Sequence, residues 1–311
     1  MDSAAITFLK ASMGPLVLRK VRPLRDRTND EQGLCNVCGG TTTFAFNSWV
    51  IPRDVMNAFN PGQVRLAYER RESMFCACCI SNLRVREISQ VLLDLYGDGS
   101  NSISELVQQE HFRALDIAEI NTIGALGSLH KHLANLPRLV LSEFRPQDPL
   151  GEVVNGVRNE DLCHLTYPDA SFDLVLSSDT LEHVPDVLAA LSETKRVLRP
   201  GGRHIFTVPI DASRPTSRTR ARVTLNGGVE HLESPLYHGR GRGLLHLVPV
   251  GDDMLAFTDF GLDLMASLRG LGFEPQMYRD PGDDSGASWV FAASVPKQGV
   301  GEPGCARRGA V

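Results

Sequence analysis

Four cysteines fall into two Cys-x-x-Cys pairs, Cys35-Asn-Val-Cys38 and Cys76-Ala-Cys-Cys79, with Gly39-Gly40 behind the first. Thiolates are soft ligands, and a pair spaced this way wraps one side of a tetrahedral zinc ion, so two pairs close its shell. The pattern predicts a structural zinc held by Cys35, Cys38, Cys76 and Cys79. Four thiolates leave no open position for catalysis. Cys78 is an alternative fourth ligand or a spectator, and a set of buried free thiols is the metal-free reading. The pairs lie further apart than in a minimal zinc ribbon, so folded chain must lie between them. Cysteines clustered in pairs also point to metal ligation in a reducing cytosol rather than to disulfides, and Cys163 and Cys305 stand apart.

A second chemistry-bearing stretch is Ser213-Arg-Pro-Thr-Ser-Arg-Thr-Arg-Ala-Arg222. Its four guanidinium groups could bind a phosphate or carboxylate bidentately, or form a solvated loop.

These groups need a scaffold, and the middle of the chain supplies one. Short β-type runs at 113–118, 139–143, 172–178 and 204–210 alternate with helical patterns at about 123–133 and 185–198. The run Phe172-Asp-Leu-Val-Leu-Ser-Ser178 is nearly all apolar, as a strand covered on both faces should be. Pro200-Gly-Gly202 ends the second helix. A last helix at about 259–271 precedes β runs at 273–278 and 289–294, joined by Pro281-Gly-Asp-Asp-Ser-Gly286. Alternation of this kind implies a mostly parallel sheet, closed here by a hairpin, with ligands bound beyond the carboxyl ends of its strands.

The segment Pro168-Asp-Ala-Ser-Phe-Asp-Leu-Val-Leu-Ser-Ser-Asp-Thr-Leu-Glu-His-Val-Pro185, followed by Arg196-Val-Leu-Arg-Pro-Gly-Gly202, resembles class I S-adenosylmethionine-dependent methyltransferases. The resemblance covers roughly residues 112–295. It implies an α/β fold: a Rossmann-like, doubly wound, mostly parallel seven-stranded sheet, here with an N-terminal zinc-ribbon-like module. Residues 1–100 would hold that module, 101–296 the methyltransferase domain with an insertion at 211–257 as lid or acceptor region, and 297–311 a flexible tail.

The resemblance also implies a cofactor site for S-adenosyl-L-methionine. Its residues would be Asp116, Ala118 and Glu119 on the first strand, Glu143 on the ribose hydroxyls, Asp161 and Leu162 on the adenine, and Ser178 and Asp179 near the sulfonium. A carboxylate suits two vicinal hydroxyls because each of its oxygens accepts hydrogen bonds. The chain departs from the family at the first loop. The usual acid-x-Gly-x-Gly is replaced by Asp116-Ile-Ala-Glu-Ile-Asn-Thr122, with glycines only at 124 and 127. Either the loop takes another path, with Glu119 or Asn121 in contact, or cofactor binding is lost.

Methyl transfer needs orientation more than a covalent nucleophile, and a base only if the acceptor must lose a proton. His183, His231 and His238 are the candidate bases, and Tyr237 a candidate donor; each also has an ordinary structural reading as a packing or capping residue.

The 311 residues are 42% hydrophobic and 22% charged, and 32 Lys and Arg stand against 37 Asp and Glu, a net charge of −5. That excludes disorder and rods, and argues against a general nucleic-acid binder. No transmembrane run or signal-peptide core is present, so a cytoplasmic location without membrane contact is expected. The expected function is methyl transfer to oxygen or nitrogen of a small-molecule acceptor such as a sugar or secondary metabolite. Two alternatives remain: an RNA-modifying enzyme, because a zinc module ahead of such a domain also resembles some ribosomal-RNA guanine methyltransferases, and a non-catalytic scaffold.

Overall fold

Strict alternation along the buried strands decides how the chain is layered. In Phe172–Ser178, Leu174 and Leu176 point to one face of the sheet and Val175 to the other, each fully buried. A computed structural model shows what covers each face; it describes residues 32–46, 63–124, 127–238, 254–279 and 285–297. The chain start, Cys305, part of the 211–257 insertion, most of the Pro281–Gly286 connection and all but the first residue of the 297–311 tail lie outside the described residues.

The N-terminal region holds β1 (Gln32–Leu34), β2 (Thr41–Phe46), α1 (Gln63–Ser73), β3 (Met74–Cys76) and α2 (Leu83–Tyr96). The three strands form an antiparallel sheet in the order β1-β2-β3. Short helical turns α3 (Ile103–Leu106) and α4 (Glu110–Arg113) lead into the main sheet. Its strands are β4 (Ile117–Ile120), β5 (Leu139–Glu143), β6 (Val153–Val154), β7 (Val157–Asn159), β8 (Phe172–Ser178) and β9 (Leu198–Thr207), with α5 (His130–Leu133) and α6 (Val187–Val197) between them. The insertion carries β10 (Arg218–Thr219), β11 (Ala221–Val223), β12 (Val229–His231) and β13 (Thr258–Asp259). Helix α7 (Leu264–Gly270) and the hairpin β14 (Glu274–Tyr278) and β15 (Val290–Ser294) complete the fold.

The main sheet runs β14-β15-β9-β8-β4-β5-β7-β6. Strand β4 pairs in parallel with both β5 and β8, so the order reverses beside β4 and the carboxyl ends open into a crevice there. This is the doubly wound sheet expected from the sequence. Its eighth strand is the two-residue β6, which folds back antiparallel on β7 at the edge.

One face of the sheet is covered by α6 and α7 through Ala190, Leu191, Leu264 and Leu268. The other is covered by α2, which comes from the N-terminal region: Val85, Ile88 and Leu92 share one buried cluster with Ile117, Leu174, Ile205 and Val290. Cys35, Val37 and Cys76 belong to the same cluster. The cysteine-bearing region and the sheet therefore share a core.

Several element boundaries shift from the sequence reading, each for a local reason. The strand expected at 113–118 begins only at Ile117, because Glu110–Arg113 is helical and buries Phe112. The helix expected at 123–133 is helical over His130–Leu133. Helix α6 starts at Val187, where the Asp186 side chain accepts from the Ala189 amide, a cap worth about 1 kcal/mol. Strand β9 already begins at Leu198 and takes in Pro200-Gly-Gly202 as an irregularity, with pairing to β8 passing from Leu198 to Arg203. Helix α7 starts five residues later than expected because Asp259 is taken into β13 opposite Arg218. Among the described residues, no helix is long and apolar enough to cross a membrane.

Candidate functional site

The first turn after β4 is built by Glu119, a strand residue with 0% exposure. One of its oxygens accepts from the Ile123 amide at 2.9 Å and the other from His130 Nδ1 at 2.6 Å. This pair closes the turn on itself. Asn121 has φ 59°, the left-handed conformation that glycine ordinarily supplies and that asparagine tolerates best among other residues. Its side chain donates to Thr180 Oγ1 at 3.2 Å, which ties the turn to the end of β8. Gly124, at φ 91°, has no room for a side chain: a Cβ would stand 2.9 Å from Val85 of α2 and closer still to Ser128.

Glu143 lies at the carboxyl end of β5, half-buried, and one oxygen accepts from Thr122 Oγ1 at 2.9 Å. A carboxylate oxygen has a second lone pair, and among the described residues the other oxygen makes no hydrogen bond that competes with this one, so the group keeps acceptor capacity. Asp161 is partly exposed; its oxygens take the Cys163 amide at 2.9 Å and His164 Nδ1 at 3.4 Å, while Leu162 is buried beside it. Ala118 is buried in the β4 wall. Asp116 stands at the opposite, amino-terminal edge of β4, where Arg138 and Arg199 each reach one of its oxygens at 2.9 and 2.8 Å. That edge does not open on the crevice.

Ser178 and Asp179 are engaged by the N-terminal region. Arg71 of α1, with 0% side-chain exposure, makes two 2.7 Å contacts to the Asp179 carboxylate. Arg84 of α2 donates to Ser178 Oγ and lies 3.5 Å from Asp179. Glu72 balances both arginines at 2.7 and 2.8 Å. Burial by itself would push the Asp179 carboxyl up; Arg71 and Arg84 overcome that and hold it below the usual carboxylate range. Arg71, Glu72 and Arg84 escaped the sequence reading because no spacing links them to residue 179.

Of the three candidate bases, the fold joins two. The rings of His183 and His238 lie edge to face with centroids 4.9 Å apart. His231 ends β12 opposite Ala221, on an exposed hairpin. His183 Nδ1 lies 3.0 Å from the Leu255 carbonyl, which only accepts, so Nδ1 donates there and Nε2 is left facing Glu182. The carboxylate of Glu182, unremarked in the sequence beyond its place in Leu-Glu-His-Val, stands between the two rings at 3.6 Å from a nitrogen of each. His238 also lines a pocket with Pro209, Asp211, Arg214, Asp259 and Phe260. Tyr237 packs with Ala221, Leu255 and Phe257.

The arginine run is fully occupied by acids. Arg214 pairs with Asp211, Arg218 and Arg220 with Asp259, and Arg222 with Glu230. Of the two readings of this run, phosphate or carboxylate binding finds every guanidinium already paired with an acid.

The four cysteines converge from the β1–β2 hairpin turn and from the turn between β3 and α2. Cys35 Sγ is 3.8 Å from Cys79 Sγ and Cys38 Sγ is 4.0 Å from Cys76 Sγ, and all four sulfurs lie within 4.8 Å of one another. Tetrahedral zinc with bonds of about 2.3 Å sets sulfurs about 3.8 Å apart, so the donor set fits. Contact with Cys35 and Cys76 pushes the Cys79 thiol up, while contact with Cys35 and Cys79 pulls the Cys76 thiol down. Cys78 is exposed and outside the four.

Residues 138–206 match a family model described as a methyltransferase domain. The 27-O-demethylrifamycin SV methyltransferase of Amycolatopsis mediterranei is 30% identical over 137 residues, 43% of this chain and 40% of that protein. The sarcosine/dimethylglycine N-methyltransferase of Halorhodospira halochloris is 45% identical over 65 residues, 21% of this chain and 22% of that protein. The chain thus spans less than half the length of either relative. A solved structure of a 1,6-didemethyltoxoflavin-N1-methyltransferase from Burkholderia thailandensis covers 70% of this chain and 88% of its own, with 17% identity and a TM-score of 0.37.

Proposed function

We propose that the chain carries a class I S-adenosylmethionine-dependent methyltransferase domain and transfers a methyl group to oxygen or nitrogen of a small-molecule acceptor, a reading supported by the methyltransferase-domain match over residues 138–206 and by the relatives. The observation that carries this reading is Glu143, standing at the end of β5 beside the Asn121 turn at the point where strand order reverses. S-adenosyl-L-methionine, when bound, brings a methyl carbon already activated by a positive sulfur, so the protein supplies orientation rather than a nucleophile.

In this reading Glu143 accepts the ribose hydroxyls, and Asp161 with the Leu162 amide receives the adenine. Asn121 stands in for the missing glycine by taking positive φ. Glu119 and Ser178 act indirectly: the first by closing the turn through His130, the second by anchoring Arg84. Arg71 on Asp179 fixes the roof of the crevice. The acceptor side is the pocket around His238, next to His183 and Glu182. Relatives named for a rifamycin and for sarcosine or dimethylglycine support a small acceptor, as does the absence of unpaired arginines in the 213–222 run.

We read Cys35, Cys38, Cys76 and Cys79 as the ligands of a structural zinc. Residues 1–100 then serve as a cap on the domain at 101–296, since α2 forms a layer of its sheet. The zinc would supply rigidity and no chemistry.

One observation favours a second reading, the non-catalytic scaffold: Thr122 already occupies an oxygen of Glu143. Calorimetric titration with S-adenosylhomocysteine, then mass spectrometry of acceptor candidates incubated with S-adenosylmethionine and enzyme, tests both. Binding followed by a methyl gain supports transfer, binding with no acceptor turned over across a broad panel favours the scaffold, and no binding at millimolar cofactor removes the enzymatic reading.

A further inference from the structure

The cluster beyond β8 presents an electrostatic problem that its own side chains do not solve. The Glu182 side chain is 1% exposed, and neither of its oxygens has a hydrogen-bond partner. An isolated buried carboxylate costs several kcal/mol unless a cation or donors compensate it. Two imidazoles stand beside it. His183 Nε2, also buried and without a hydrogen-bond partner, faces Glu182 Oε1 at 3.6 Å, while Nδ1 is engaged by the Leu255 carbonyl. His238 Nδ1 stands 3.6 Å from the same oxygen. These separations are too long for hydrogen bonds.

From this arrangement we infer that Glu182, His183 and His238 form a site for a divalent transition cation of the zinc class. Bonds of about 2.0–2.1 Å in tetrahedral geometry set N and O ligands about 3.3 Å apart, close to the 3.6 Å present. The three ligand atoms lie within 4.8 Å of one another. Two nitrogens and a carboxylate suit zinc and its first-row neighbours rather than calcium or magnesium.

The supporting shell is built for the role. The Leu255 carbonyl fixes the His183 tautomer, the kind of outer contact that orients metal-ligating histidines. The Phe257 amide donates to the Glu182 carbonyl at 2.7 Å, and the His238 amide to Met254 at 3.0 Å, so the segments bearing the ligands are stitched together. Three protein ligands leave a position open. His238 also lines the neighbouring pocket, which makes that position available to a ligand oxygen there. The site stands on side-chain geometry alone and holds whether or not a methyl group is transferred.

Metal analysis of the full chain, after purification with zinc and desalting, tests it. Wild type is expected to hold one equivalent more zinc than Glu182→Gln or His238→Ala, with the cysteine-bound metal unchanged, and His231→Ala is expected to match wild type. Cobalt(II) added to wild type after mild chelation has emptied this site but left zinc in the cysteine cluster should give visible d–d bands without thiolate charge transfer, and these should vanish in His238→Ala. The cobalt spectrum of wild type keeps the test valid if Glu182→Gln fails to fold. Equal metal content in wild type and variants, cobalt bands that survive the substitutions, or no bands at all would overturn the site and leave a bare histidine–carboxylate contact.

Discussion

Arg71 and Asp179, 108 positions apart in the chain, meet through two 2.7 Å contacts at the carboxyl end of β8. The pair pins the N-terminal region to the crevice of the sheet. A guanidinium with no exposure, facing a carboxylate that burial alone would neutralise, is stable only as a pair.

Removing one partner should therefore cost more than removing both. Arg71→Met is expected to lose about 3 kcal/mol in urea unfolding, because it leaves buried Asp179 with only Arg84 and Thr207 to compensate it. The double variant Arg71→Met, Asp179→Leu should recover a substantial part. Additive losses in the cycle would mean that the two residues do not act as a pair.

The cysteine cluster should behave as part of the core rather than as a detachable finger. Cys35 and Cys76 are buried with Ile117 and Leu174. Strong chelation, or Cys79→Ser, is then expected to lower the melting temperature of the whole domain in a single calorimetric transition. A protein that melts unchanged in chelator would count against a structural zinc. Gly39 offers a milder probe: it has φ 74°, and a Cβ there would come 3.0 Å from Ser102 Oγ, so Gly39→Ala should cost about 1–2 kcal/mol.

Two histidines should shape the pH dependence of stability in opposite directions. The bond to Glu119 raises His130 above its ordinary 6.5 against a smaller opposing effect of burial. Its stabilising charge is complete below about 6.5 and is lost as pH rises through the higher folded value. Burial pushes His204 down to about 3, so the unfolded chain takes up a proton between 6.5 and about 3 that the folded one refuses. Stability falls as pH drops through that window. Denaturant curves across pH should show His130→Gln flattening the alkaline limb and His204→Phe flattening the acid one. Unchanged slopes would contradict the assignment.

Much of the sheet is readable because its strands are short apolar runs, the central ones buried on both faces. Leu139–Glu143 and Phe172–Ser178 occur where their apolar runs indicate. What local patterns missed was set by partners far away in sequence. Helix α2 carries an ordinary amphipathic pattern that does not say which sheet it will cover, and Arg84 upon it has no sequence link to Ser178. The positive φ of Asn121 was hidden because asparagine takes that conformation without advertising it as glycine does. Glu182 and His238 are brought together by the pairing of 236–238 with 254–256, which no spacing announces. Asp116 was read as the acid of the first loop, yet Glu119, three residues on, is the acid that builds the turn.

The central claim is that the crevice between β4 and β5 binds an adenosyl group through Glu143. Titration calorimetry of wild type and Glu143→Ala with S-adenosylhomocysteine tests it most directly. One-site binding by wild type is expected, weakened about 10–100-fold in the variant, the worth of hydrogen bonds to a charged acceptor. Equal affinities in both proteins, or no heat and no thermal shift in wild type at millimolar ligand, would contradict it.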